Sequence, residues 1–204
     1  MIAVITGDII NSQKEDPSIW LLELKNAIAR YQVNPKLYDI YRGDSFQLEI
    51  SMHKALEAAI YIKSSIKKIK GLDVKMSIGI GDKTYTAESI KESNGSAFVR
   101  SGNCFENLKK RKLAIKSSFP NHDKVLNIMI QLAMLTADRW APVSAEITQK
   151  ALIHREYNQN QLATLLKKTQ SAISEGLKRS GFEEIKKMLE YYENLASNHA
   201  DTIT

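Results

Sequence analysis

The chain has 204 residues, 43% hydrophobic and 25% charged, with a formal net charge of +6. That length makes one large domain or two small ones, with an apolar fraction sufficient for a core without covalent staples. The single cysteine, Cys104, rules out an intramolecular disulfide and suits a reducing, cytoplasmic setting, and no apolar run approaches the roughly 18 residues of a membrane span.

The charge is uneven. Residues 1–141 hold 21 Lys and Arg against 15 Asp and Glu, and residues 142–204 hold 8 of each. An excess of this size permits an anionic partner without requiring one.

The opening MIAVITGDII has no basic n-region and no small-residue cleavage pattern. It reads as a buried strand stopped by Gly7-Asp8, not as a signal peptide. Asp16-Pro17 predicts a helix start, with Asp16 as N-cap and Pro17 in the first turn. Trp20, Leu24, Ala27, Ile28 and Tyr31 then share a helical face, up to Asn34-Pro35. LYDIYR and SFQLEI flank a predicted two-residue Gly43-Asp44 hairpin link. Phe46, Leu48 and Ile50 fall on one strand face, and Gln47 and Glu49 on the other. Met52, Leu56, Ala59, Ile60, Ile66 and Ile69 make a helical stripe ended by Gly71. Val74, Met76, Ile78 and Ile80 alternate with Lys75, Ser77 and Gly79, as in a strand buried on one face. Residues 81–96 read as loop, 97–110 as helix and 113–115 as a short strand. A long helix, apolar on several sides, follows Pro120-Asn121 through Trp140, as a buried connector or a partner surface. All that follows Pro142 reads as helix.

The expected fold is therefore α+β. Residues 1–117 form a ferredoxin-like or palm-like sandwich, and residues 118–141 a connecting helix. Residues 142–204 form an all-helical domain, either winged-helix-like or a simple helix-turn-helix.

Each Gly-Asp step alone is an ordinary turn, because Asp accepts bonds from nearby backbone N–H groups. As a pair, Asp8 and Asp44 at neighbouring strand ends offer carboxylates to Mg²⁺, a hard ion that borrows its other ligands from water and phosphate. The segments GDIINS and YRGDSF, with VKMSIGIG and GSAFVRSGNCFENLKK, resemble the palm-like catalytic domain of class III nucleotide cyclases and diguanylate cyclases over residues 1–117. That resemblance implies metal binding by Asp8 and Asp44, with Asn11, Ser12, Arg42, Gly43, Arg100 and Asn103 around a nucleotide. One departure matters. Asn107 stands where the family's Asn-x-x-x-Arg pattern has the Arg that stabilises transition-state charge. Arg100 or Lys109 is the candidate to replace it.

Residues 159–177, QNQLATLLKKTQSAISEGL, carry Leu162, Ala163, Leu166, Ile173, Ser174 and Leu177 at helix-turn-helix spacing. Thr169 is placed to cap the second helix. Gln170, Ser171, Ser174 and Glu175 point outward near its start, where such motifs meet base edges. Lys167, Lys168, Lys178 and Arg179 lie where phosphates pass. A plain helical hairpin has the same periodicity, and Lys167 and Lys168 replace the usual turn residues. Ile185, Met188, Leu189, Tyr192 and Leu195 form a further stripe, either core or the seam of a homodimer. From the opening AVITGDIINS to the helix-turn-helix, the arrangement resembles the SatD-like family.

His53, His122, His154 and His199 have no metal-binding spacing, and Cys104 reads as a buried thiol. Lys63, Lys67, Lys68 and Lys70, and Lys109, Lys110, Arg111 and Lys112, form two basic clusters. These are solvated faces or phosphate receivers. The reading favoured is a cytoplasmic regulator that binds double-stranded DNA and senses a nucleotide or divalent ion. The alternative is a Mg²⁺-dependent nucleotide cyclase or nucleotidyltransferase whose C-terminal helices serve assembly. A scaffold without a ligand leaves both motifs unexplained.

Overall fold

Five segments form strands: β1 (Ile2–Ile10), β2 (Tyr38–Tyr41), β3 (Ser45–Ser51), β4 (Asp73–Gly81) and β5 (Leu113–Lys116). In this computed structural model residues 1–201 are described, with side chains as far as residue 198, so the side chain of His199 lies outside the described residues. Among the described residues eight α-helices accompany the strands: α1 (Pro17–Ala29), α2 (Ala55–Lys67), α3 (Ser96–Glu106), α4 (Pro120–Ala137), α5 (Pro142–Ile153), α6 (Gln159–Leu166), α7 (Gln170–Ser180) and α8 (Phe182–Asp201). The fold class is mixed α+β. No described helix is long and apolar enough to cross a membrane.

The sheet order is β2-β3-β1-β4-β5. The opening strand is central and antiparallel to both β3 and β4, while β5 joins parallel to β4. A parallel neighbour needs a crossover, and α3 provides it. Odd residues of β1 (Ala3, Ile5, Ile9) enter the main core, whereas Val4 packs with Ile90, Ala97 and Phe98 on the other face. Gly79 makes close approach by α3 possible, since a Cβ there would lie 2.3 Å from Ala97 O and from Ser101 N.

Several expectations need correction. The hairpin loop has three residues, Arg42-Gly43-Asp44, because Tyr41 pairs with Ser45. Arg42 (φ 54°) and Gly43 (φ 92°) are both left-handed. Strand β4 is buried on both faces, because α3 covers the Ser77 and Gly79 side. Helix α2 carries no single apolar stripe, since every residue from Ala55 to Ile66 is buried. It packs against the sheet, α1 and α5, and Gln149 Nε2 of α5 donates to Ser65 Oγ at 2.7 Å. Of the two readings of the stripe on α8 the core one holds, with Ile185, Met188, Leu189 and Tyr192 all buried, and Tyr192 donates to Met52 O at 2.6 Å. No wing follows α7, because Gly181 alone separates it from α8 and no strand follows β5 among the described residues. One apolar core runs from Ala3 to Ala196 and joins the sheet to the helices after Pro142.

Candidate functional site

Pairing of β1 with β3 makes Asp8 and Asp44 backbone neighbours, although β1 does not stop at Gly7-Asp8 but runs on to Ile10. Asp8 stands opposite Ser45, and Ile9 N donates to Asp44 O at 3.2 Å. Each carboxylate holds a hydroxyl of its own: Ser45 Oγ donates to Asp8 Oδ2 at 2.8 Å, and Ser12 Oγ to Asp44 Oδ2 at 2.6 Å. In both, Oδ1 takes no hydrogen bond from the described residues, and both residues are half-buried. No set of three or more His, Cys, Asp or Glu among the described residues is placed to hold a metal. A Mg²⁺ ion held by one or two carboxylates, with water and phosphate completing its shell, fits this donor set better than a Zn²⁺ ion does.

The register extends this site across the sheet. Tyr41, Ser45, Asp8 and Lys75 face one another on four successive strands and therefore share one face. Lys75 lies over the Phe105 ring of α3, 5.2 Å from its centroid. Burial raises the pKa of Tyr41, Arg42 opposes the rise and the charge of Asp8 adds to it. Lys75 is the functional candidate missed in the sequence. Its alternation with Met76 was legible, but its place opposite Asp8 depends on which strand β4 pairs with.

The other predicted nucleotide contacts divide. Asn11, left-handed at φ 64°, donates to Gly71 O at 3.0 Å, and buried Ser12 is held by Asp44. Arg42 and Gly43 are exposed at the hairpin tip. Arg100 lies elsewhere, donating to Ile80 O at 2.6 Å. Ile80 is five residues along β4 from Lys75, roughly 17 Å at strand rise. Asn103 is exposed on α3, and its carbonyl accepts from Asn107. The Cys104 thiol is half-buried, and burial raises its pKa.

Both basic clusters send lysines to one place. Lys63 is wholly buried and reaches Asp73 at 2.8 Å and Asp138 at 2.7 Å, so for it the solvated-face reading fails. Lys112 meets Asp73 at 2.7 Å, and Lys67 donates to Asp138 O at 2.8 Å. Burial would raise the pKa of Asp73, but Lys63, Lys112 and Lys67 outweigh it and hold the carboxyl below its ordinary value. A cavity of about 230 Å³ opens here, lined by Lys67, Lys70, Lys112, Asp73, Asp138 and Asn11. It adjoins the end of β1 that carries Asp8.

In the C-terminal helices, residues 167–169 turn between α6 and α7, with Lys167 left-handed at φ 52°. Thr169 Oγ1 accepts from Ala172 N at 3.2 Å, the cap expected of it. Ile173 and Leu177 are buried, and Gly176 lets α7 lie against Ile147 of α5. Lys167, Thr169, Gln170, Ser171, Lys178 and Arg179 are exposed, and Lys168 and Ser174 half-buried. Three of these reach another side chain of the same helices: Lys168 pairs with Glu146 at 3.5 Å, Gln170 donates to Gln159 at 2.6 Å and Arg179 faces Glu175 at 3.8 Å. No model of a known protein family matches the chain, and no curated protein matches it.

Proposed function

We propose that the chain is a DNA-binding transcriptional regulator of SatD-like type. In this reading α6 and α7 are a simple helix-turn-helix, and the sheet with α1–α3 is a palm-like domain that senses a Mg²⁺-bound nucleotide. The observation that carries it is the solvent face of α7. Ser171, Lys178 and Arg179 lie on one exposed side of a capped helix whose opposite side is locked by Ile173, Gly176 and Leu177. Such a helix enters a major groove with its first turns at base edges and its basic residues at phosphates. The sensing role is supported by the Oδ1 atoms of Asp8 and Asp44, which take no hydrogen bond from the described residues, and by the lysine-lined cavity beside Asn11.

Fluorescence anisotropy on a duplex selected from a random pool tests the DNA reading. Binding should weaken steeply with salt, and Lys178→Ala and Ser171→Ala should reduce it. A wild-type chain that selects no duplex at low salt overturns it. A thermal-shift screen of nucleoside phosphates with Mg²⁺ tests the sensing role, since a ligand of the folded state raises Tm. Asp44→Asn should abolish the shift.

The same two carboxylates favour the second reading, a Mg²⁺-dependent cyclase or nucleotidyltransferase, because neighbouring acidic residues that hold metal ions suit phosphoryl transfer. Lys75, opposite Asp8 in the register, then supplies a cation on that face. Release of pyrophosphate from a nucleoside triphosphate, lost in Asp44→Asn, would establish it. Its absence with all four triphosphates would eliminate it.

A further inference from the structure

Helix α4 turns one face inward, with Leu126, Ile130, Met134 and Ala137 buried, and leaves four large apolar side chains on the opposite face. Val125, Ile128, Leu132 and Leu135 are 43%, 51%, 61% and 64% exposed. Single exposed apolar residues need no explanation, but a contiguous stripe marks an interaction surface. Their spacing of three, four and three residues is the a/d repeat that seats one helix against another.

We propose that this stripe is the seam of a homodimer in which α4 packs antiparallel against α4 of a second copy. The spacing is the same read in either direction, so a two-fold axis near Ile130 sets Val125 against the second copy's Leu135 and Ile128 against its Leu132. Closed pairing of this kind uses one patch on both copies. The ends of the stripe fix the orientation. Arg139 continues the face one step past Leu135, in the turn that Arg139 N closes on Thr136 O at 2.9 Å, and Asn121 begins it. A parallel pair would stack Arg139 on Arg139, which like charges oppose. An antiparallel pair places each Arg139 beside an Asn121 amide. The stripe positions between Asn121 and Arg139 hold no charged side chain, and Lys124 flanks them.

The C-terminal end of α7 sits at the far end of α4, where Trp140 Nε1 donates to Ser180 O at 3.0 Å. Residue 140 lies ten residues from the axis, so two such ends stand about 30 Å apart along α4 at helical rise. That is close to the one-turn half-site spacing of two-fold DNA readers. The seam does not rest on the DNA reading, and its test uses no DNA.

Sedimentation equilibrium and light scattering on the full chain should give twice the 23.0 kDa of one chain. Leu132→Lys should return it to one chain with unchanged far-ultraviolet dichroism. Leu22→Lys, an equally exposed site on α1, should leave the dimer intact. Orientation is read by oxidation in a Cys104→Ser background. Val125→Cys alone should not cross-link, whereas Val125→Cys mixed with Leu135→Cys should. A monomer at ~100 µM, where even weak specific dimers form, or a dimer indifferent to Leu132→Lys, overturns the seam. Cross-linking of Val125→Cys alone overturns the antiparallel arrangement.

Discussion

The ammonium of Lys63, with no exposed surface, donates to Asp73 Oδ1 at 2.8 Å across the α2–β4 contact. Removing one partner of a buried pair leaves the other uncompensated and costs about 3–5 kcal/mol. Asp73→Asn should therefore lower stability, by up to about 3 kcal/mol in urea unfolding, because it leaves Lys63 with Asp138 alone and weakens the hold on Lys112. Lys63→Met should cost less, about 1 kcal/mol, since Met fills the space and Asp73 keeps Lys112.

Acid should show the same group. The folded Asp73 carboxyl titrates below its ordinary value, so its stabilisation is complete above the ordinary carboxylate pKa and is lost as pH falls through the folded one. Comparing urea midpoints of wild type and Asp73→Asn between neutral pH and pH 3 should show the two converging toward acid.

Alkali acts through Tyr31, whose hydroxyl donates to Glu57 at 3.0 Å. Burial pushes its pKa up to about 12, against the opposing charge of Arg30. A raised acid stabilises the fold below the unfolded value near 10, and that contribution is lost as pH rises through the folded value. Stability should fall between pH 10 and 12, less so in Tyr31→Phe, as followed by thermal melts and tyrosinate absorbance.

Two glycines should behave oppositely. Gly79→Ala drives a Cβ into the backbone of α3 at 2.3 Å, and overpacking of this kind costs about 1–3 kcal/mol. Gly102, inside α3, has nothing within 4 Å of a new Cβ, so Gly102→Ala should add about 0.5–1 kcal/mol through helix propensity. Paired denaturation curves measure both.

The hairpin tip separates strain from binding. Arg42 holds φ 54°, a conformation that costs most residues about 1–2 kcal/mol and that Asn tolerates better. Arg42→Asn should raise stability by about 0.5–1 kcal/mol. If Arg42 meets a nucleotide phosphate, the same variant should lose the ligand-induced shift in Tm.

Element order was legible because period and punctuation agree in this chain. Asp16 caps α1 through Ser18 N at 2.8 Å, and Trp20, Leu24, Ala27 and Ile28 are its buried face. Thr169 caps α7 as its spacing implied. What escaped was long-range. Lys75 and Ser77 look like a wet strand face until α3 is known to return over them. Lys63 looks like one of several surface lysines until Asp138, 75 residues away, is beside it. The stripe on α8 was readable as apolar, but the choice between core and dimer seam was not, because its partner Met52 is 140 residues distant.

Helix α2 belongs to both halves at once, packed on the sheet and covered by α5. Cutting the chain near Pro142 would strip that cover and leave apolar surface facing water. Neither fragment should then fold by itself, and heating the intact chain should give one calorimetric transition instead of two.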